Sequence, residues 1–142
     1  MAHPAVPRGI VAAGVAAAVL AVYMGRAPAI TLSGLEPGQE LDIHVRSRGC
    51  FHSVDRTFAF VRRPDGRIAR VMEGVERALR DDEVEAIDRE LDYARTVRDT
   101  GCTTVRHFAL TLIDHGQPAA KALFRDESCG SDNEILVAFN HQ

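Results

Sequence analysis

The chain has 142 residues, a length typical of one domain, and its 46% hydrophobic and 26% charged residues are typical of a globular protein rather than a disordered one. Its formal net charge of −3 at pH 7 gives no basic field of the kind that nucleic-acid binding requires. We therefore expect one folded domain that does not bind nucleic acid.

The N-terminal segment differs in kind from the rest of the chain. Residues 10–24 carry no charge and are mostly alanine and valine, with Arg8 before them and Arg26 after them. Ala27 and Ala29 then place small residues at the two positions that a signal peptidase reads. This layout predicts an export signal.

Two forms of that signal are open. Residues 1–29 are either a cleaved signal peptide or an uncleaved N-terminal membrane anchor that uses residues 9–24, although this run is short for a spanning helix, which needs about 20 residues. In both cases residues 30–142 form the domain, and it lies outside the cytoplasm. We expect it to be periplasmic, secreted or tethered to the membrane by that segment.

The next part of the chain predicts three β strands. Apolar and polar residues alternate over residues 41–45 and again over residues 56–63, which is the period of a half-buried strand. Pro64, Asp65 and Gly66 are a strong turn signal, so residues 67–73 are predicted to return as the second strand of a hairpin.

A helix is predicted from about residue 82 to residue 98. Apolar residues recur there at helical spacing, and acidic and basic residues lie between them. Asp81 or Asp82 is expected to cap the start of the helix, and Gly101 is expected to stop it.

The C-terminal third predicts a second hairpin, with residues 104–114 as one strand and residues 119–125 as the other. The apolar faces of the two strands match best when Phe108 lies opposite Phe124. A two-residue turn would give a register shifted by one residue, and a bulge near the strand ends would reconcile the two. Residues 134–140 are apolar on every side, so periodicity leaves both a buried strand and a short helix open.

Together these elements predict an α+β fold, an antiparallel sheet of four or five strands in two hairpins with one helix packed on one face. The apolar faces of the strands and the helix would meet in one core formed by Leu41, Ile43, Val45, Phe58, Phe60, Val84, Ile87, Leu91, Phe108, Leu110 and Leu112.

Three cysteines are present, and an exported domain lies where disulfide bonds persist. Counting outward from a two-residue turn of the second hairpin brings Cys102 opposite Cys129, and facing strand residues lie close enough to be bridged. We predict a disulfide bond between Cys102 and Cys129, which leaves Cys50 buried or free.

The sequence contains none of the common motifs for nucleophilic serine, helical zinc, phosphate-loop or dinucleotide sites. Its densest polar cluster is a loop where Cys50 and His52 could serve as nucleophile and base or as metal ligands, but zinc needs three or four protein ligands. We predict no catalytic site, no metal and no cofactor. Instead we interpret the loop as a structural turn and a partner-binding surface formed by Cys50, Phe51, His52, Ser53 and Asp55.

Four features of the chain follow one another in a characteristic order: Arg48-Gly49-Cys50-Phe51, the strand with Phe58 and Phe60, the helix with Val84, Ile87 and Leu91, and the strand with Phe108, Leu110 and Leu112. This order of elements, over about residues 41–125, resembles the emfourin type of small inhibitor of thermolysin-like metalloproteases. The resemblance implies an inhibitor whose partner is an extracytoplasmic protease, and it assigns no inhibitory residues.

Three functional hypotheses follow. The first is a non-enzymatic exported binding module of the cell envelope, with protease inhibition as the activity that the resemblance implies, and with contact loops at residues 49–55 and 115–118. The second is a membrane-tethered structural domain without a dedicated ligand. The third is a hydrolase or metal-binding protein that uses Cys50, His52 and other histidines.

Overall fold

The computed structural model describes residues 29–49, 53–98, 101 and 104–128. The predicted export segment up to residue 28, Cys50, Phe51, His52, both cysteines of the predicted disulfide and residues 134–140 lie outside this set, so those predictions stay predictions. The elements are β1 (Glu40–Arg48), β2 (Ser53–Arg62), β3 (Ile68–Met72), β4 (Val75–Ala78), α1 (Asp81–Thr96), β5 (Val105–Asp114) and β6 (Gln117–Asp126).

All six strands form one antiparallel sheet in the order β4-β3-β2-β1-β5-β6. The α+β class and the single helix on a sheet are confirmed for the described residues, but the sheet has six strands rather than four or five. The missed strand is β4, which has only four residues. It follows a two-residue turn at Glu73 and Gly74, both with positive φ, a conformation that matches the twist of antiparallel strands.

Both predicted hairpins are confirmed. In the first, Arg62 lies opposite Ile68 across the turn that contains Asp65 and Gly66. In the second, Phe108 lies opposite Phe124 as predicted, because a two-residue turn is combined with a bulge between Leu112 and Ile113. The bulge shifts the register by one residue, which keeps the apolar side chains of both strands on the same face of the sheet.

Helix α1 forms where its periodicity predicts, but its ends are set by other residues. Its cap comes from Glu83, whose carboxylate accepts a hydrogen bond of 2.8 Å from the backbone N–H of Arg80, and not from Asp81 or Asp82. The helix ends at Thr96, well before Gly101, because Val97 already has extended backbone angles. Among the described helical residues no stretch is both long and apolar enough to cross a membrane.

The helix covers one face of the sheet, here called the inner face, and the core lies between them. The predicted core residues are confirmed, with Val84 and Leu112 partly buried and the others fully buried. Each fully buried side chain of this size stabilises the fold by about 1.5–3 kcal/mol. The opposite face of the sheet is called the outer face.

Residues before β1 complete the core, which the sequence did not predict. Leu32 and Leu35 are both almost fully buried. Asp88 of α1 fixes this segment, since its carboxylate accepts hydrogen bonds of 2.6 Å from the N–H of Leu32 and 2.9 Å from the N–H of Ser33. Asp88 therefore anchors the segment before β1 to the helix.

Candidate functional site

On the outer face, the neighbouring strands β1, β5 and β6 bring basic and apolar side chains into two adjacent rows. The strand period of two places every second residue of β1, β5 and β6 on this face. One row runs from Arg46 through His107 to Arg125, which are directly opposite one another in register. The next row contains His44, Ala109 and Leu123.

These six residues line a shallow depression of about 440 Å³, here called the outer-face depression. The side chain of Leu123 is 80% exposed, more than that of any other large apolar residue in the described ranges. The polar side chains that line the depression are two guanidinium groups and two imidazoles, and no carboxylate is among its described lining residues. The arrangement suits a ligand that combines negative charge with an apolar group.

His44 is held in place by its neighbours on β2. Its Nδ1 lies 3.0 Å from the hydroxyl oxygen of Thr57, and its Nε2 lies 3.2 Å from a carboxylate oxygen of Asp55. Hydroxyl, imidazole and carboxylate also form the triad of many hydrolases, but such triads act in sites that exclude water. Asp55 keeps 64% of its side chain exposed, so we interpret the three groups as a cross-strand network that orients His44.

The two arginines of the depression have weak partners. Arg46 lies 4.0 Å from Asp55, and Arg125 lies 3.3 Å from Glu127. Both arginine side chains are about half exposed, and ion pairs of this kind contribute about 0–1 kcal/mol each. A ligand carboxylate can therefore compete for either guanidinium at small cost.

Two residues of the predicted partner-binding loop, Ser53 and Asp55, lie within the described ranges. They belong to strand β2 and not to a loop, because β2 starts at Ser53 opposite Arg48. Asp55 faces His44 and Arg46 across the strand and does not cap a turn. The predicted loop and the outer-face depression are thus connected through Asp55.

Leu123 and Arg125 were not predicted as site residues. The predicted opposition of Phe108 and Phe124 implies that Leu123 faces away from the core, and this is confirmed, since Phe124 stacks on Phe108 at 4.9 Å on the inner face. No local pattern, however, places Leu123 and Arg125 beside His44 and Arg46 of β1. His107 is an exposed residue of β5.

A metal centre finds no support within the described ranges, where no group of three or more His, Cys, Asp or Glu side chains is placed to hold an ion. His44 and His107 share the outer-face depression, but they occupy diagonal positions on neighbouring strands. Cys50 and His52, the predicted alternative ligands, lie outside the described residues.

A second cavity, of about 800 Å³, lies between the β2–β3 turn and the start of α1. Several of its polar groups already serve the fold: Asp88 holds residues 32 and 33, and Arg62 donates to the carbonyl oxygens of Ser33 at 3.2 Å and Leu35 at 2.8 Å. Asp65 likewise binds Arg67. We interpret this cavity as the seam where the segment before β1 packs on the helix.

Comparison of the chain with protein-family models, with curated proteins and with solved structures yields no match in any of the three. The resemblance to emfourin-type inhibitors stays a prediction, and the function has to be argued from the site itself.

Proposed function

We propose that this chain is a non-enzymatic binding module of the cell envelope and that it contacts a protein partner through the outer-face depression. The observation that carries the proposal is Leu123, an 80% exposed leucine among arginine and histidine side chains. Protein-binding surfaces combine a small apolar centre with a polar rim in this way. An exposed leucine on a rigid sheet also loses little conformational entropy on binding.

The envelope location rests on the export segment predicted for residues 1–29. The resemblance to metalloprotease inhibitors makes an extracytoplasmic metalloprotease the first partner to test. The depression involves far fewer residues than the roughly 20–30 that each partner contributes to a stable protein interface. The contact would therefore extend from the depression toward Asp55 and the β1–β2 connection.

The test compares two threonine variants of the full chain, Leu123→Thr and Val75→Thr, as bait in an envelope extract. Val75 is the matched control because it is 70% exposed on β4, at the opposite edge of the sheet. We expect wild type and Val75→Thr to retain the same partner. Leu123→Thr should weaken its binding at least about tenfold, since burying a leucine is worth about 1.5–3 kcal/mol.

Assays with the purified partner then test whether this chain inhibits it. If it is a metalloprotease, stoichiometric loss of its activity on titration with wild type, and not with Leu123→Thr, supports inhibition. Equal retention by both variants would show that the contact surface lies elsewhere. Capture of nothing specific would favour the membrane-tethered structural domain, and turnover of a small substrate would favour the hydrolase hypothesis.

A further inference from the structure

Strand β6 ends the sheet on one side. It pairs with β5, and no second described strand pairs with it. It is ten residues long, whereas β4 at the other edge has four. An edge strand presents backbone N–H and C=O groups that an extended chain can bind as a further strand.

Within the described residues, helix α1 does not cover this edge, because it contacts β6 from the inner face. The guanidinium carbon of Arg95 lies 5.3 Å from the ring centre of Phe124, a side chain that points toward the helix. The isolated bridge between Arg98 and Glu127 lies beyond the last residue of β6.

The outer-face side chains of β6 form a regular series: Lys121, Leu123 and Arg125 alternate along the strand and all are exposed. Lysine and proline on an edge strand commonly prevent unwanted strand pairing. Pro118 lies next to the turn, with eight residues of the strand beyond it, and Lys121 lies within that stretch, so both disfavour pairing with a strand that has no acidic residue to face Lys121. Leu123, which is 80% exposed in the middle of this stretch, instead favours contact with an apolar side chain of an added strand.

A second copy of β6 fits this edge poorly. Antiparallel pairing centred on Leu123 would set Lys121 of one copy opposite Arg125 of the other, and like charges directly opposite each other are destabilising. A segment with acidic residues at the matching positions would instead face Lys121 and Arg125 with opposite charge.

We propose that β6 binds an extended segment of the partner protein as a seventh strand, and that this segment carries an acidic, an apolar and an acidic side chain at three alternate positions. The apolar side chain lies beside Leu123, and the acidic side chains lie beside Lys121 and Arg125. This inference rests on the proposed function and names the chemistry of its partner.

The test is an NMR titration of the isotope-labelled full chain with the capped peptide Ser-Glu-Thr-Leu-Thr-Glu-Ser, a method that detects Kd values of about 1 mM. One control peptide replaces both glutamates by lysine. A second carries N-methyl groups on its backbone, which removes the donors that a strand needs. We expect shifts and slower amide exchange in β6 with the acidic peptide, and a loss of binding with both controls.

Two variants of equal net charge sharpen the test. Arg125→Glu should weaken peptide binding about tenfold, because it replaces an attractive cross-strand pair by a repulsive one, whereas Arg89→Glu on the exposed side of α1 should leave binding unchanged. Absence of binding at millimolar peptide, equal binding of the lysine peptide, or equal binding of the N-methylated peptide would each overturn the inference.

The two proposals fail in different ways. If Leu123→Thr abolishes partner capture while the acidic peptide fails to bind, the binding module stands and strand addition is wrong. If partner capture is insensitive to Leu123→Thr, the proposed function itself is wrong, whatever the peptides do.

Discussion

Two arginine–aspartate pairs in this sheet show how the two faces differ. On the inner face, the Nε of Arg106 donates to a carboxylate oxygen of Asp126 at 2.6 Å, and the two side chains are 4% and 1% exposed. On the outer face, Arg46 and Asp55 are 4.0 Å apart and 49% and 64% exposed. The same two residue types are thus buried structural groups on one face and solvated surface groups on the other.

The difference follows from solvation. A buried ion pair gives up its hydration, and losing one partner leaves the other charge in a medium of low polarity. An exposed pair keeps its water and contributes little to stability. Loss of one partner on the inner face is therefore expected to destabilise the fold, whereas the charges on the outer face keep their hydration and can bind a ligand.

The largest expected effect tests the buried pair. Asp126→Asn should lower the free energy of unfolding by about 3 kcal/mol or more, because the charge of Arg106 stays buried opposite a neutral side chain. Asp55→Asn, its counterpart on the outer face, should lower it by less than about 1 kcal/mol. Urea unfolding of both variants measures the contrast, and similar losses would show that burial does not distinguish the two pairs.

Next in size is the contact between α1 and the segment before β1. Asp88→Ala should cost about 1–3 kcal/mol, since the N–H groups of Leu32 and Ser33 lose their acceptor. Asp92→Ala, an exposed position of the same helix, is the control and should change stability by less than about 0.5 kcal/mol. Unfolding curves that coincide for the two variants would mean that Asp88 does not anchor the segment.

A smaller effect is expected at Glu83. The pKa of its carboxyl is lowered, first by the hydrogen bond from the backbone N–H of Arg80 and then by Arg77, whose guanidinium lies 3.0 Å away. A carboxyl whose pKa is lowered by folding stabilises the folded state as long as it is ionised. For Glu83 this stabilisation is fully present above its ordinary pKa of 4.5, and it is lost as the pH falls through the lower pKa of the folded protein.

Glu83→Gln should therefore cost about 1 kcal/mol at pH 7 and progressively less below about pH 4.5. Glu85→Gln, at an exposed position of the same helix, removes a negative charge without touching the cap and so controls for a general effect of charge. Urea titrations across this pH range measure both variants. A constant difference between Glu83→Gln and wild type down to pH 3 would contradict the assignment.

The smallest effect on stability, and the largest on binding, is expected at Leu123. Leu123→Thr should change the free energy of unfolding by less than about 0.5 kcal/mol, because the side chain is already in water and threonine suits a strand. A larger loss of stability in the urea titration would indicate that Leu123 supports the fold, and its effect on partner capture would then need another explanation.

The sequence by itself determined the elements whose signals are local. Alternation and periodicity located β1, β2, β3, α1 and the β5–β6 hairpin, because the spacing of apolar residues along the sequence reports the period of an amphipathic strand or helix directly. The register of Phe108 with Phe124 was also predictable, since a shift by one residue would expose the apolar side chains of β6 to solvent.

Only the tertiary structure decided features that depend on distant residues. Strand β4 is too short to show a period, and Leu32 and Leu35 are buried because Asp88, far along the chain, binds the backbone beside them. The outer-face depression joins Arg46, His107 and Arg125 from three strands, and no local pattern contains all three. Non-local pairing creates such sites, because strand order and register, rather than sequence spacing, set which side chains meet.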